Sequence, residues 1–180
     1  MFYFQTTNRH KFAEAQEILG GRGIEIERIP KEYREVQAAR LEEVALQALG
    51  EIERKGVFIE DSGLFVKALK GFPGVYSSNT LETIGVDGIL KLMQGVDNRN
   101  AEFVSIIGLK TEEVKLFKGI VKGSISLATR GNSGFGYDPI FVPEGYERTF
   151  AEDIKLKNEI SHRRRALDKL ANYIKKGESE

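Results

Sequence analysis

Three short apolar runs, Met1–Gln5, Ile24–Ile29 and Val57–Ile59, are separated by two stretches of helical periodicity, and this alternation constrains the chain most. After the first run, Thr6-Thr7-Asn8 leads into Phe12, Ala15, Ile18 and Leu19 at helical spacing, until Gly20-Gly21 stops the helix. Ile24–Ile29 alternates apolar with charged residues up to Pro30 and reads as a strand. Leu41, Val44, Ala45, Ala48, Leu49 and Ile52 share one face of a second helix. The third strand, Val57-Phe58-Ile59, is expected to end at Glu60-Asp61-Ser62-Gly63.

The rest of the chain is richer in strands. Past the turn Gly71-Phe72-Pro73-Gly74, a helix is expected over Gly88–Met93. Strands over Phe103–Leu109, Val114–Val121 and Ser124–Leu127 are then expected to pair as an antiparallel meander. A glycine-spaced loop from Arg130 to Gly136 precedes a strand at Tyr137–Val142. One last helix from Asn158 to Ile174 turns Ile160, Leu167, Leu170 and Ile174 inward. Early alternation followed by clustered strands predicts an α/β fold with a mixed sheet flanked by helices. At 180 residues the chain suits one domain spanning residues 1–180.

Composition narrows the chemistry. Lys plus Arg and Asp plus Glu both number 27, so no overall positive field exists to hold a nucleic-acid backbone, and none is expected as a partner. Any polyanion must be small and met by a local cluster of donors. The absence of cysteine excludes disulfides, thiolate metal sites and a cysteine nucleophile, and two histidines argue against a histidine-rich zinc site. The N-terminus lacks a signal-like apolar stretch and no run of about 18 apolar residues occurs, so a cytoplasmic protein with no membrane association is expected.

Five clusters carry candidate chemistry. Thr6-Thr7-Asn8-Arg9-His10-Lys11 lies where the first strand meets its helix, so free N–H groups, the helix dipole and Lys11 can face an anion; alternatively Thr7 or Asn8 only caps the helix. Glu60 and Asp61 follow an apolar strand, where carboxylates call for a partner such as a hard divalent cation, or else form an acidic strand-to-loop turn with Gly63 supplying a positive φ. Glu42-Glu43 sits early on the second helix, where charge commonly just complements the dipole. Ser133-Gly134-Phe135-Gly136-Tyr137-Asp138-Pro139 offers two aromatics for stacking a base and a carboxylate for its hydrogen bonds, or else is a turn whose aromatics belong to the core. Ser161-His162-Arg163-Arg164-Arg165, with Lys157 before it, concentrates positive charge able to hold a carbonyl or phosphate, or forms a solvated face.

Taken together, Thr6-x-Asn8-x-x-Lys11, Glu60-Asp61-Ser62-Gly63-Leu64, Gly71-Phe72-Pro73-Gly74-Val75-Tyr76-Ser77, Gly134-Phe135-Gly136-Tyr137-Asp138-Pro139 and Ile160-Ser161-His162-Arg163 resemble the inosine triphosphate pyrophosphatase family in order and spacing. Members of that family clear non-standard purine nucleoside triphosphates from the nucleotide pool. The resemblance implies an elongated sheet with a substrate groove between two lobes, and a homodimer. It implies that residues Thr6 to Lys11 (Thr6, Thr7, Asn8, Arg9, His10, Lys11) hold the triphosphate and that Glu43 and Asp61 bind Mg²⁺. It also implies that Asp61 accepts a proton, Ser62 touches substrate, and Phe135, Gly136, Tyr137 and Asp138 form the base and sugar pocket. Lys157, His162 and Arg163 would read the 6-oxo edge of the purine.

Two departures stand out: Thr7 replaces the usual glycine or serine, and Ala151–Lys157 is one residue shorter than the family's stretch, leaving Lys155 as a substitute for Lys157. Hydrolysis between the α- and β-phosphates would give monophosphate and pyrophosphate, with Asp61, or Glu60 in second place, taking a proton from water. The competing readings are a pyrophosphatase of the septum-formation-inhibitor type acting on pyrimidine or methylated nucleotides, and a nucleotide-binding protein without catalysis.

Overall fold

The computed structural model describes residues 1–33 and 38–177. The first apolar runs form β1 (Phe2–Gln5), β2 (Ile26–Ile29) and β3 (Val57–Val66), and β1 pairs in parallel with both β2 and β3. With β4 (Asn100–Lys110), β5 (Val114–Ile125) and β6 (Phe141–Pro143) they make one six-stranded sheet in the order β2-β1-β3-β4-β5-β6. β6 runs antiparallel to β5, so the sheet is mixed, as expected. The helices are α1 (Arg9–Gly20), α2 (Leu41–Gly50), α3 (Ser77–Thr83), α4 (Gly85–Leu92), α5 (Ile154–Ile160) and α6 (His162–Gly177). Among the described residues no helix is long and apolar enough to cross a membrane.

Four local expectations are corrected. β3 does not stop at Ile59 but runs on through Glu60-Asp61-Ser62-Gly63, and Gly63 does not take a positive φ. Glycine is needed there because a Cβ would overlap the Gly74 carbonyl oxygen, so the strand passes directly against the Gly-Phe-Pro-Gly turn. The two expected strands around Lys122-Gly123 are one strand, β5. The expected Tyr137–Val142 strand is a short 3₁₀ turn, Asp138–Ile140, followed by β6. The last helix is interrupted at Ser161, whose extended backbone (φ −60°, ψ 161°) separates α5 from α6.

Two compact units are distinguishable along the chain: Met1–Asp61 with Ser105–Gly119 and His162–Glu180, and Ser62–Val104 with Ile120–Ser161. In the first unit, Phe4 and Phe58 stack at 4.6 Å. They bury with Ala15, Ile18 and Leu19 of α1, Leu167 and Leu170 of α6, and Ile107 and Leu109 of β4. Successive strand residues point to opposite faces, so Glu60 shares the Phe58 face, under α1 and α6, while Asp61 points to the other. That other face belongs to α2: Leu49 lies where a Cβ on Gly108 would sit, and the Lys110 ammonium donates to the carbonyls of Leu49 and Ile52 at the end of α2. In the second unit Leu64, Val66, Ile89, Phe103, Ile140, Phe141 and Phe150 form a separate core.

Candidate active site

The start of α1 is built by its own loop. The Thr6 hydroxyl accepts from Asn8 N–H at 3.1 Å, and the Asn8 side chain accepts from Lys11 N–H at 3.0 Å. Asn8 is therefore the helix N-cap, satisfying one of the N–H groups that a helix start leaves open. Thr6 is buried, whereas Thr7, Arg9 and His10 are exposed around the same turn.

Lys11 reaches from α1 to β3. Its ammonium lies 2.9 Å from one Glu60 carboxylate oxygen and 3.4 Å from the Glu60 carbonyl. The other carboxylate oxygen of Glu60 accepts from the Ser105 hydroxyl at 2.6 Å and lies 3.2 Å from Arg163 Nε. Arg163 in turn donates from Nη1 to Glu14 at 2.6 Å. Two cations and two carboxylates thus form one network of zero net charge. Burial alone would raise the Glu60 pKa, but Arg163, Lys11 and the Ser105 hydrogen bond outweigh it and hold the carboxyl well below the usual carboxylate range. Burial likewise works against the Arg163 cation, and Glu60 and Glu14 more than offset it, raising its pKa above the ordinary value.

This pattern fixes an acid dependence. The folded state takes up the Glu60 proton at lower pH than the unfolded chain, so the stability it contributes is intact above about pH 4.5 and is lost as pH falls below it. We expect Glu60→Gln to lower the thermal midpoint at pH 7 and to flatten its decline between pH 5 and 3. Melting curves of both proteins over that range check this.

His162 is buried at the first turn of α6. A Cβ on Gly119 of β5 would overlap the His162 carbonyl oxygen and come within 2.6 Å of Ala166 N, so only glycine lets the strand backbone lie this close to the start of α6. The same approach carries Arg163 into its network.

Asp61 is half-buried on the face that α2 covers. On α2, Glu42 is held by Lys118 at 2.9 Å; burial raises its pKa and Lys118 brings it below the ordinary value. Glu43 is exposed, with one carboxylate oxygen accepting from Ala39 N–H at 3.2 Å. Among the described residues no three His, Cys, Asp or Glu side chains group as a metal cage. Glu43 and Asp61 each carry hard carboxylate oxygens, the donor type Mg²⁺ takes when water and phosphate oxygens complete its shell.

In the second unit, Asp138 and Lys157 form a buried pair at 2.7 Å, with side chains 3% and 1% exposed. Asp138 also accepts from Phe135 N–H at 2.8 Å, and the Lys157 ammonium sits 4.3 Å from the Phe135 ring centroid, a cation–π distance. Lys157 and Phe135 are thereby joined, while Lys155 is exposed on α5. Gly136 is half-buried beside them. Tyr137 is buried, its hydroxyl donating to the Ser77 carbonyl at 2.7 Å, and burial pushes its pKa up to about 12. The Ser77 hydroxyl donates to the Gly74 carbonyl at 2.7 Å and accepts from Leu64 N–H at 2.9 Å. Ser62 is half-buried on β3.

Partners in these networks that were not singled out from the sequence include Glu14, Ser105 and Lys118. Glu14 carried a signal, standing three residues after Lys11 on one helical face. So did Ser105, a lone hydroxyl inside the apolar strand Phe103–Leu109.

Comparison with known proteins shows the family. Residues 2–173 match the model of the Ham1 family. The dITP/XTP pyrophosphatase of Thermococcus kodakarensis is 48% identical over 176 residues, covering 96% of each chain, and that of Pyrococcus horikoshii is 48% identical over 178 residues with the same coverage. Among solved structures, the Ham1 protein of Staphylococcus aureus superposes with a TM-score of 0.83 at 28% identity, over 98% of this chain and 100% of that one. The nucleoside-triphosphatase/dITP/XTP pyrophosphatase of Mycobacterium abscessus gives a TM-score of 0.71 at 35% identity, over 94% and 97%. The motifs, the mixed sheet and matches along almost the whole length agree: the chain belongs to the Ham1 family.

Proposed function

We infer that this chain hydrolyses non-standard purine nucleoside triphosphates, dITP and XTP together with ITP, to the monophosphate and pyrophosphate, and so cleanses the nucleotide pool. The observation that carries the reading is the near end-to-end similarity to proteins named dITP/XTP pyrophosphatase. Residues 1–180 act as one catalytic domain, in the cytoplasm and as a homodimer.

The chemistry divides among the chain's own groups. Lys11 and the N-terminus of α1, capped by Asn8, meet the negative phosphates. Asp61 accepts the proton of the attacking water; Glu60, already engaged by two cations, is unsuited to that task. Ser62 contacts the substrate. Glu43 and Asp61 hold Mg²⁺, which when bound supplies charge neutralisation for the triphosphate. Phe135 stacks on the base, steadied from behind by the Asp138–Lys157 pair. The Lys157, His162 and Arg163 motif favours a 6-oxo purine over adenine, because a 6-amino group offers these donors no acceptor.

A substrate panel tests this reading. With Mg²⁺ present, ITP, dITP and XTP are expected to turn over at least about tenfold faster, by kcat/KM, than ATP, GTP and dTTP, a ratio that corresponds to about 1.4 kcal/mol. Faster turnover of dTTP or of methylated nucleotides would transfer the chain to the septum-formation-inhibitor type of activity. Binding without any turnover would make it a nucleotide-binding protein.

A further inference from the structure

Glu60 has no part in the reaction described above, yet its carboxylate is engaged from three other elements of the first unit. Its side chain is 1% exposed. Lys11 approaches one carboxylate oxygen from α1, while Ser105 of β4 and Arg163 of α6 approach the other. Tyr33 adds a hydroxyl to its carbonyl at 3.3 Å. β3 alternation separates this carboxylate from that of Asp61, its neighbour in sequence, and sends the two to opposite faces of the sheet. The pair that looks like one acidic motif is therefore two devices.

We propose that Glu60 is a positioning residue: its buried carboxylate holds Lys11 and Arg163 in fixed places, so that the phosphate-binding and base-reading motifs share one anionic anchor. The proposal rests on the pyrophosphatase reading for what the two cations touch. Lys11 is a long flexible chain with an ammonium that can swing; fixed at 2.9 Å from Glu60, it presents one geometry to an incoming phosphate. Arg163 is buried at both ends of its guanidinium contacts, between Glu60 and Glu14, and cannot follow a ligand outward. An amide in place of the Glu60 carboxylate keeps the volume and the Ser105 acceptor but removes the charge that holds both cations.

The test is a double-mutant cycle. Glu60→Gln, Lys11→Met and the double variant are measured for kcat/KM on dITP, and by calorimetry for binding of inorganic tripolyphosphate. Each single variant is expected to lose about 10- to 100-fold in kcat/KM and to bind tripolyphosphate more weakly, and the double variant to be no worse than the poorer single. Glu60→Asp, which keeps the charge, is expected to recover at least part of the Glu60→Gln loss. Losses that multiply in the double variant, or unchanged kinetics in Glu60→Gln, overturn the proposal.

If Glu60→Gln fails to fold, Ser105→Ala takes its place. It removes one hydrogen bond from the same carboxylate, and its smaller loss is expected to vanish in the Lys11→Met background; an undiminished loss there overturns the proposal. If the wild-type protein releases no pyrophosphate from dITP, the functional reading fails on its own. The tripolyphosphate cycle still decides the role of Glu60, non-additive weakening supporting it and additive weakening refuting it.

Discussion

Asp61→Asn is expected to abolish most turnover, by about 10²- to 10⁴-fold in kcat, while the melting temperature stays within a few degrees of wild type. The asymmetry follows from where Asp61 sits. It is half-buried on the α2 face of β3, away from the Lys11–Glu60–Arg163 network that ties the strand to α1 and α6. Replacing a carboxylate by an amide of the same shape there leaves that network intact and removes the basicity that proton transfer requires. Initial rates with dITP, beside a thermal unfolding curve, check both halves. A near-normal rate would move the proton acceptor elsewhere, and a collapsed melting temperature would make Asp61 structural.

Lys157→Met is expected to destabilise the protein by about 3–5 kcal/mol, because it removes the cation paired with the buried Asp138 carboxylate of the second unit. Asp138 would retain the Phe135 N–H at 2.8 Å, a neutral donor that does not replace the charge of the lost ammonium beside a carboxylate 3% exposed. The Phe135 ring would lose its cation as well, so KM for the nucleotide is expected to rise alongside the loss of stability. Lys155→Met, on the exposed side of α5, is expected to stay within about 0.5 kcal/mol of wild type. Urea unfolding of the two variants separates them. Equal behaviour would mean that the buried pair carries no weight.

What the sequence made legible followed from local periodicity and from motif order. β1, α1, β2 and α2 fall where alternation and helical spacing place them, and the mixed character of the sheet follows from early alternation and later strands. Thr7 and Asn8 were both open as the cap of α1, and geometry selects Asn8.

The misses arose where long-range contacts override local signals. Two adjacent carboxylates after an apolar run look like a strand end. Yet β3 continues because Glu60 is neutralised by Lys11, 49 residues away, and by Arg163 of the last helix. Gly63 looks like a turn glycine, but its need is closeness to Gly74, which no spacing rule reveals. Lys122-Gly123 looks like punctuation, but β6 pairs with β5 across it, Gly123 opposite Pro143. Tyr137, which the motif places in the base and sugar pocket, is buried with its hydroxyl donating to the Ser77 carbonyl, a partner 60 residues away.

The candidate site was legible to a similar degree. The choice between Lys155 and Lys157 depends on which faces the core, and a seven-residue helix such as α5 leaves both phases open until Asp138 is placed. Glu43 and Glu42 are adjacent on α2, and Lys118, from a distant strand, helps distinguish them by taking Glu42.

The bond expected to break lies between the α- and β-phosphates. Incubated with dITP and Mg²⁺ and sampled within the first few per cent of turnover, the protein is predicted to release dIMP and pyrophosphate in equal amounts, with orthophosphate absent. Orthophosphate and dIDP as the first products would contradict it.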